Sequence, residues 1–110
     1  MPPQPEYVLV RDKARDLIYL AERLVEEREY SIICLLTHIA EELLKYSINR
    51  RLGINNNNHS IDVSRLVQIT LSLPDKNVVE ECIRRARRLL DDVNRVFIER
   101  REEECGCWGE

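Results

Sequence analysis

Apolar residues recur every three or four positions along most of the chain, the spacing that places them on one face of an α-helix. A first stripe, within residues 6–28, consists of Val10, Ala14, Leu17, Ile18, Ala21, Leu24 and Val25. A second consists of Ile32, Leu36, Ile39, Leu43 and Tyr46, with Ile33, Ala40 and Leu44 beside it. The stripes are out of phase, and one straight helix across both would reach about 70 Å. The pattern therefore predicts two helices with a tight turn near Glu29–Ser31.

The second helix has a clear predicted end. Arg50 and Arg51 would occupy its last turn, where the helix dipole favours cations, and Gly53 is typical of the position just past a helix. The polar run Asn55–Asn58 then predicts a loop.

Two more helices follow this loop. The third is short, has Asn58 or Ser60 as candidate N-caps, and carries Ile61, Val63, Leu66, Val67, Thr70 and Leu71. Pro74-Asp75 ends it, and the fourth carries Val79, Cys82, Ile83, Ala86, Leu89, Leu90, Val93, Val96 and Phe97. Two capping-box patterns, Ser72-x-x-Asp75 and Asn77-x-x-Glu80, predict alternative starts for the fourth helix, about one turn apart.

We therefore predict one all-α domain over residues 1–110, an antiparallel up-and-down four-helix bundle with three long helices and a short one. Apolar residues make up 44% of the chain and aromatic ones 5%, so Leu, Ile and Val must form the core. Residues 1–5 contain three of the four prolines and predict an irregular lead-in. Residues 104–110 are expected to form a flexible tail.

Charge and cysteine content narrow the class of protein. The net charge is −3, yet residues 49–101 carry eleven basic and seven acidic side chains, so an anionic ligand would bind there. No membrane-spanning run or signal peptide is apparent, and the four cysteines form no disulfide framework, which predicts a cytoplasmic protein. The arginines at 84, 85, 87 and 88 each have an acidic residue four positions away, which indicates a solvated, self-neutralising helix face.

The loop after the second helix holds the best candidate chemistry. Arg51, or Arg50 beside it, and His59 flank the asparagines. A histidine titrates near neutrality and can move a proton, while an arginine can hold a phosphate and stabilise a phosphorane. These groups could cleave RNA without a metal. The alternative is that the arginines complement a helix end and His59 caps the next helix.

The stretch from about Lys13 to Glu99 resembles the HEPN family of helical domains (higher eukaryotes and prokaryotes nucleotide-binding). The resemblance rests on KARDLIYLAERLVEE, on EYSIICLLTHIAEELLKYSINRRLG with its Glu-x-x-Leu-Lys core and terminal glycine, and on the segment HSIDVSRL. It implies a HEPN-like bundle that acts as a homodimer or with a small nucleotidyltransferase, often in toxin–antitoxin operons. It also implies, in active members, metal-independent cleavage of RNA by an arginine and a histidine across a dimer cleft.

The spacing of the candidate pair departs from the family pattern. Active members have four to six residues between the arginine and the histidine, whereas seven separate Arg51 from His59. We therefore favour a partner-binding component over the endoribonuclease that Arg51 and His59 would form. Nucleotide binding in an interhelical groove is a third hypothesis.

The remaining candidates favour structural roles. Cys34 and Cys82 lie on or beside apolar stripes, which predicts small core side chains, and His38 lies at the edge of its stripe. The segment Cys105-Gly106-Cys107 lacks a second ligand pair, so it is expected to be a disordered tail without a metal. No cofactor is expected.

Overall fold

The computed structural model describes residues 4–54 and 62–105, with side chains as far as Ile98. All regular structure in these ranges is helical: α1 spans Glu6–Leu24, α2 Tyr30–Arg51, α3 Val63–Leu71 and α4 Lys76–Cys105. For the described residues, this confirms the all-helical class and the prediction of three long helices and a short one. Among the described helices, none combines the length and the apolar content that a membrane span requires.

The turn between α1 and α2 lies earlier than the sequence predicted. α1 ends at Leu24, and residues 25–29 form the turn, so Tyr30 and Ser31 already belong to α2. Arg28 takes a positive φ of 58° within this turn. A left-handed conformation is unusual for a residue with a side chain, which is why the sequence gives no sign of it.

α2 is the central helix and packs against α1, α3 and α4. Its buried residues are Ile33, Cys34, Thr37, Ala40, Glu41, Leu44 and Ser47. The predicted main stripe is therefore displaced by about one position, since Leu36 and Leu43 pack against the core but are only partly buried. Ile32 is exposed, and the residues predicted beside the stripe, among them Ala40 and Leu44, form the core.

The main core lies between α1, α2 and α4. Three alanines in it let the helices approach closely, and the larger residues fill the space around them; the set is Ala14, Ile18, Ala40, Leu44, Ala86, Leu90 and Val93. A second cluster of Ala21, Ile33, Cys34 and Val79 lies at the other end of these helices. The Ser47 hydroxyl donates a 2.6 Å hydrogen bond to the Tyr7 carbonyl, so the end of α2 meets the start of α1 and the two helices are antiparallel.

The helix ends are set by local hydrogen bonds. Gly53 has φ 75°, and after it the Ile54 amide donates to the Asn49 carbonyl at 2.8 Å, which forms a Schellman motif and confirms the predicted stop. Asp62 caps α3 by accepting from the Arg65 amide. The predicted caps Asn58 and Ser60 lie outside the described residues.

Asp75 is the N-cap of α4 and determines where this helix begins. Its carboxylate accepts a 2.9 Å hydrogen bond from the Val78 amide, and the helix starts at the next residue, Lys76. The helix runs to Cys105, and the rest of the predicted tail lies outside the described residues.

Candidate functional site

Arg51 lies in the last turn of α2, as predicted, where the helix dipole favours a cation. Its guanidinium carbon is 5.7 Å from the centre of the Tyr7 ring on α1, within cation–π range. Arg50, the alternative candidate, is exposed. A hydrogen bond with Glu6 raises the pKa of Tyr46, and the charge of Arg50 partly offsets that rise. The structure therefore places Arg51, and not Arg50, against α1.

Arg51 lines a surface groove of about 740 Å³ between the start of α1 and the second half of α4. We call it the arginine groove, because Arg11 and Arg15 of α1 line it as well. Neither residue was among the predicted site residues. Their spacing of four places them on one side of α1, but only the packing of α1 against the end of α2 brings them near Arg51.

The arginines of this groove are partly neutralised. Arg11 contacts the Asp12 carboxylate at 2.8 Å and donates a 2.8 Å hydrogen bond to Asn94 on α4. Arg15 pairs with Asp12 at 3.7 Å and Asp16 at 3.6 Å. The groove therefore has only a modest positive potential, which suits one phosphate better than a run of them.

The two aromatic rings in the groove are already engaged. Tyr7 and Phe97 meet edge to face, with ring centres 5.3 Å apart. Arg11 lies 5.3 Å from the centre of the Phe97 ring, in addition to the contact of Arg51 with Tyr7. Since these contacts occupy ring surface, the rings offer little for stacking nucleic-acid bases.

His59, the predicted proton donor or acceptor, lies outside the described residues. His38, the other histidine of the chain, cannot replace it within one protomer. It lies thirteen residues before Arg51 on the same helix, which at 1.5 Å per residue is about 20 Å.

His38 instead lines a second cavity, of about 220 Å³, between α2, α3 and α4. We call it the thiol cleft, because Cys34 and Cys82 both line it, and their Sγ atoms are 3.2 Å apart. Burial, and then the neighbouring Cys82 thiol, raise the pKa of Cys34 to about 12. The other charged or titratable residues of the cleft are Glu41, Arg65 and Arg85.

Among the described arginines of α4, those at positions 84, 85, 87 and 88 form fewer local pairs than the sequence suggested. Arg84 pairs with Glu81 within the helix, three positions away instead of the predicted four. Arg85 reaches Glu41 of α2 at 3.5 Å, and Arg87 reaches Glu22 of α1 at 3.5 Å. The last two pairs join α4 to α2 and α1. The arginine-rich face of α4 is therefore only partly a solvated, self-neutralising surface.

α3 is the short helix that the apolar pattern predicted, and it exposes an apolar stripe. Val63, Val67 and Leu71 are 68%, 50% and 76% exposed, and Leu73 just after the helix is 96% exposed. Leu66 and Ile69 are half-buried instead, and Ile69 packs on the core. We call Val63, Val67, Leu71 and Leu73 the apolar α3 face. Acidic and basic side chains are absent from this set.

No metal site emerges in the described part of the chain, where His, Cys, Asp and Glu side chains nowhere gather in threes in a way that could hold an ion. Comparisons with known proteins returned nothing: no family model, curated protein or solved structure matches the chain. The family resemblance therefore rests on the sequence patterns quoted above.

Proposed function

We propose that this chain is a HEPN-like helical module that acts through protein–protein contact, first with a second copy of itself. The apolar α3 face carries the proposal. Soluble domains bury most stripes of this kind, and one left open on a helix indicates a surface for a partner.

A second copy fits this face better than a charged partner does. In a two-fold dimer the same patch meets itself, so an uncharged patch brings no like charges together. The four side chains of the apolar α3 face carry none. Leu73, almost fully exposed, would be the most deeply inserted anchor.

The magnitudes indicate a reversible dimer. Burying four such side chains from each of two protomers contributes roughly 1–2 kcal/mol per side chain. The loss of translational and rotational freedom on association costs about 4–15 kcal/mol. The summed gain from burial and the cost of association are comparable. The measured mass should therefore depend on protein concentration.

The resemblance supplies the wider context of this proposal. A dimer of this kind would work in a toxin–antitoxin type system with a small nucleotidyltransferase as its second partner. That partner would need a surface other than the apolar α3 face, because the dimer would cover that face.

The test is the mass in solution of three proteins: the unmodified chain, Leu71→Glu and Leu20→Glu. Leu20 is a matched control, since it is 44% exposed on α1, away from α3. In sedimentation at increasing concentration, we expect a dimer for the unmodified chain and for Leu20→Glu, and a monomer for Leu71→Glu. A monomeric unmodified chain, or a dimeric Leu71→Glu, would refute the proposal.

A second candidate function is metal-independent cleavage of RNA by Arg51 and His59. The observation that favours it is the arginine groove, which places Arg51 beside Arg11 and Arg15 where a phosphate could bind. His59 would serve as general acid or base, and Arg51 would stabilise the phosphorane. Since the apparent charge of the groove is modest and its rings are engaged, we rank this function second.

Incubation with RNA in EDTA distinguishes the two functions. Cleavage that is lost in both His59→Ala and Arg51→Ala, but kept in Arg50→Ala, would support the nuclease. Equal cleavage by the unmodified chain and His59→Ala would indicate a contaminant and remove the nuclease from consideration. Absence of cleavage by all four proteins would do the same.

A further inference from the structure

Two cysteines from different helices meet at the wall of the thiol cleft. Cys34 belongs to α2 and Cys82 to α4, 48 positions apart in the chain, and their Sγ atoms are 3.2 Å apart. A disulfide bond needs about 2.05 Å, so the sulfurs would have to move roughly 1.2 Å closer. We propose that Cys34 and Cys82 form a reversible intramolecular disulfide, with hydrogen peroxide or a similar hydroperoxide as the oxidant.

The two thiols differ in access. Cys34 is buried, with 6% of its surface exposed, whereas Cys82 is half-buried. Both line a cleft of about 220 Å³. A molecule of water occupies about 30 Å³ in the liquid, so this cleft has room for a peroxide. Cys82 is therefore the thiol that meets the oxidant first, and Cys34 is the one that resolves the product.

The surroundings suit this order of events. Arg85, one turn along α4 from Cys82, and Arg65 on α3 line the same cleft, where their N–H groups can donate hydrogen bonds to the oxygens of a peroxide. Glu41 of α2 holds Arg85 at 3.5 Å and partly offsets its charge, and His38 completes the set of titratable groups there. Burial raises the pKa of Cys34 to about 12, which keeps that thiol protonated and protects it from direct oxidation.

The chemistry balances in two steps. The Cys82 thiolate attacks one peroxide oxygen, the O–O bond breaks, and the products are a sulfenic acid on Cys82 and hydroxide, which takes up the proton that the thiol released. The Cys34 sulfur then attacks the Cys82 sulfur, the S–O bond breaks, and the departing hydroxide leaves as water with the Cys34 proton. In total, two thiols lose two electrons and one peroxide becomes two waters. A dithiol reductant reverses the change.

The bond would join α2 to α4 and close a segment that includes all of α3. Cross-links that close long segments restrict the unfolded chain most, so oxidation should stabilise the fold. The pair also lies in the core cluster onto which Ile69 of α3 packs. The disulfide would thus fix the helices that support α3, and it does so in a single protomer, whether or not the chain dimerises.

The test uses the full chain and a variant in which Cys105 and Cys107 are changed to serine, so that these two cysteines cannot exchange with the pair. Each is treated with a small excess of hydrogen peroxide, alkylated with N-ethylmaleimide, digested and examined by mass spectrometry. We expect a peptide that joins Cys34 to Cys82, and its loss on adding dithiothreitol. We also expect a rise in Tm on the order of 10 °C in the oxidised form.

Two further variants test the roles of the thiols. In Cys34→Ala, a Cys82 sulfenic acid should accumulate and react with dimedone, whereas Cys82→Ala should resist oxidation at position 34. Recovery of both alkylated thiols from the peroxide-treated full chain would overturn the proposal. Pairing of either cysteine with position 105 or 107 in place of the joined peptide would overturn it equally. Because the full chain itself gives the decisive peptide, the result does not depend on how well the variants fold.

Discussion

The Arg51 guanidinium lies over the Tyr7 ring, 5.7 Å from its centre, and so connects the end of α2 to the start of α1. The Ser47 hydroxyl joins the same two regions through the Tyr7 carbonyl. Tyr7 is thus held from α2 at both its ring and its backbone. This corner of the fold forms one wall of the arginine groove.

Arg51→Ala should therefore destabilise the protein more than Arg50→Ala. A cation–π contact contributes about 0.5–1 kcal/mol at an exposed site, and a cation at a helix C-terminus contributes about 0.3–1 kcal/mol. Both variants lose the second contribution, but only Arg51→Ala loses the first. Urea unfolding followed by circular dichroism at 222 nm should give a difference of roughly 0.5–1 kcal/mol between them. Equal losses would show that the ring contact does not stabilise the fold.

Gly53→Ala should lower stability by about 1–2 kcal/mol because of backbone conformation alone. Gly53 has φ 75°, a region that is costly for residues with a Cβ, yet an added Cβ would meet nothing within 4 Å. Gly53→Asn is the matched control, since asparagine tolerates this conformation and should lose less stability. The free energy of unfolding in urea would check both. Similar losses for alanine and asparagine would contradict the conformational explanation.

Asp75→Ala should cost about 1 kcal/mol, the usual value for removing an N-cap. Its carboxylate accepts the Val78 amide hydrogen bond that opens α4. Asn77→Ala is the control, because Asn77 belongs to the other capping pattern in the sequence and lies inside the helix. The same urea experiment should show little change for it. A larger loss for Asn77→Ala would place the cap elsewhere.

Arg85→Ala should destabilise the fold more than Arg84→Ala, although both arginines are exposed members of one cluster. Arg85 reaches Glu41, which is 8% exposed, so its removal leaves a nearly buried carboxylate without that cation. Arg84 pairs with an exposed Glu81 in its own helix, and such pairs contribute little. We expect a loss of about 1 kcal/mol for Arg85→Ala and under about 0.5 kcal/mol for Arg84→Ala. Thermal unfolding of the two variants side by side would measure it.

The features that the sequence predicted well are those set by neighbours in the chain. Gly53 ends α2 because it takes the left-handed conformation of the residue just past a helix, and the stripe through Val79, Ala86 and Val93 does face the core. The turn before α2 was misplaced because Arg28 adopts a left-handed conformation that glycine usually provides. Local sequence could not reveal it.

What the sequence did not predict depends on how the helices sit against one another. Cys34 and Cys82 were each assigned to an apolar stripe, but their contact requires the register between α2 and α4. The outward face of α3 was missed because period alone shows that a stripe exists and not whether another helix covers it. Arg11 and Arg15 joined Arg51 only through the packing of α1 on α2.

The Cys34 thiol should also make stability depend on pH in the alkaline range. Its pKa rises from 9.0 to about 12 on folding, because burial and the Cys82 thiol disfavour the thiolate. The folded state thus holds this proton more tightly than the unfolded chain does. The resulting stability is fully present below pH 9 and is lost as the pH rises from there toward 12.

Tyrosines and lysines titrate in the same range, so the comparison must be with Cys34→Ala in the presence of a reductant. Between pH 8.5 and 10.5, the unmodified protein should lose on the order of 1 kcal/mol more than the variant in urea unfolding. Parallel loss in the two proteins would show that burial of Cys34 does not disfavour its thiolate.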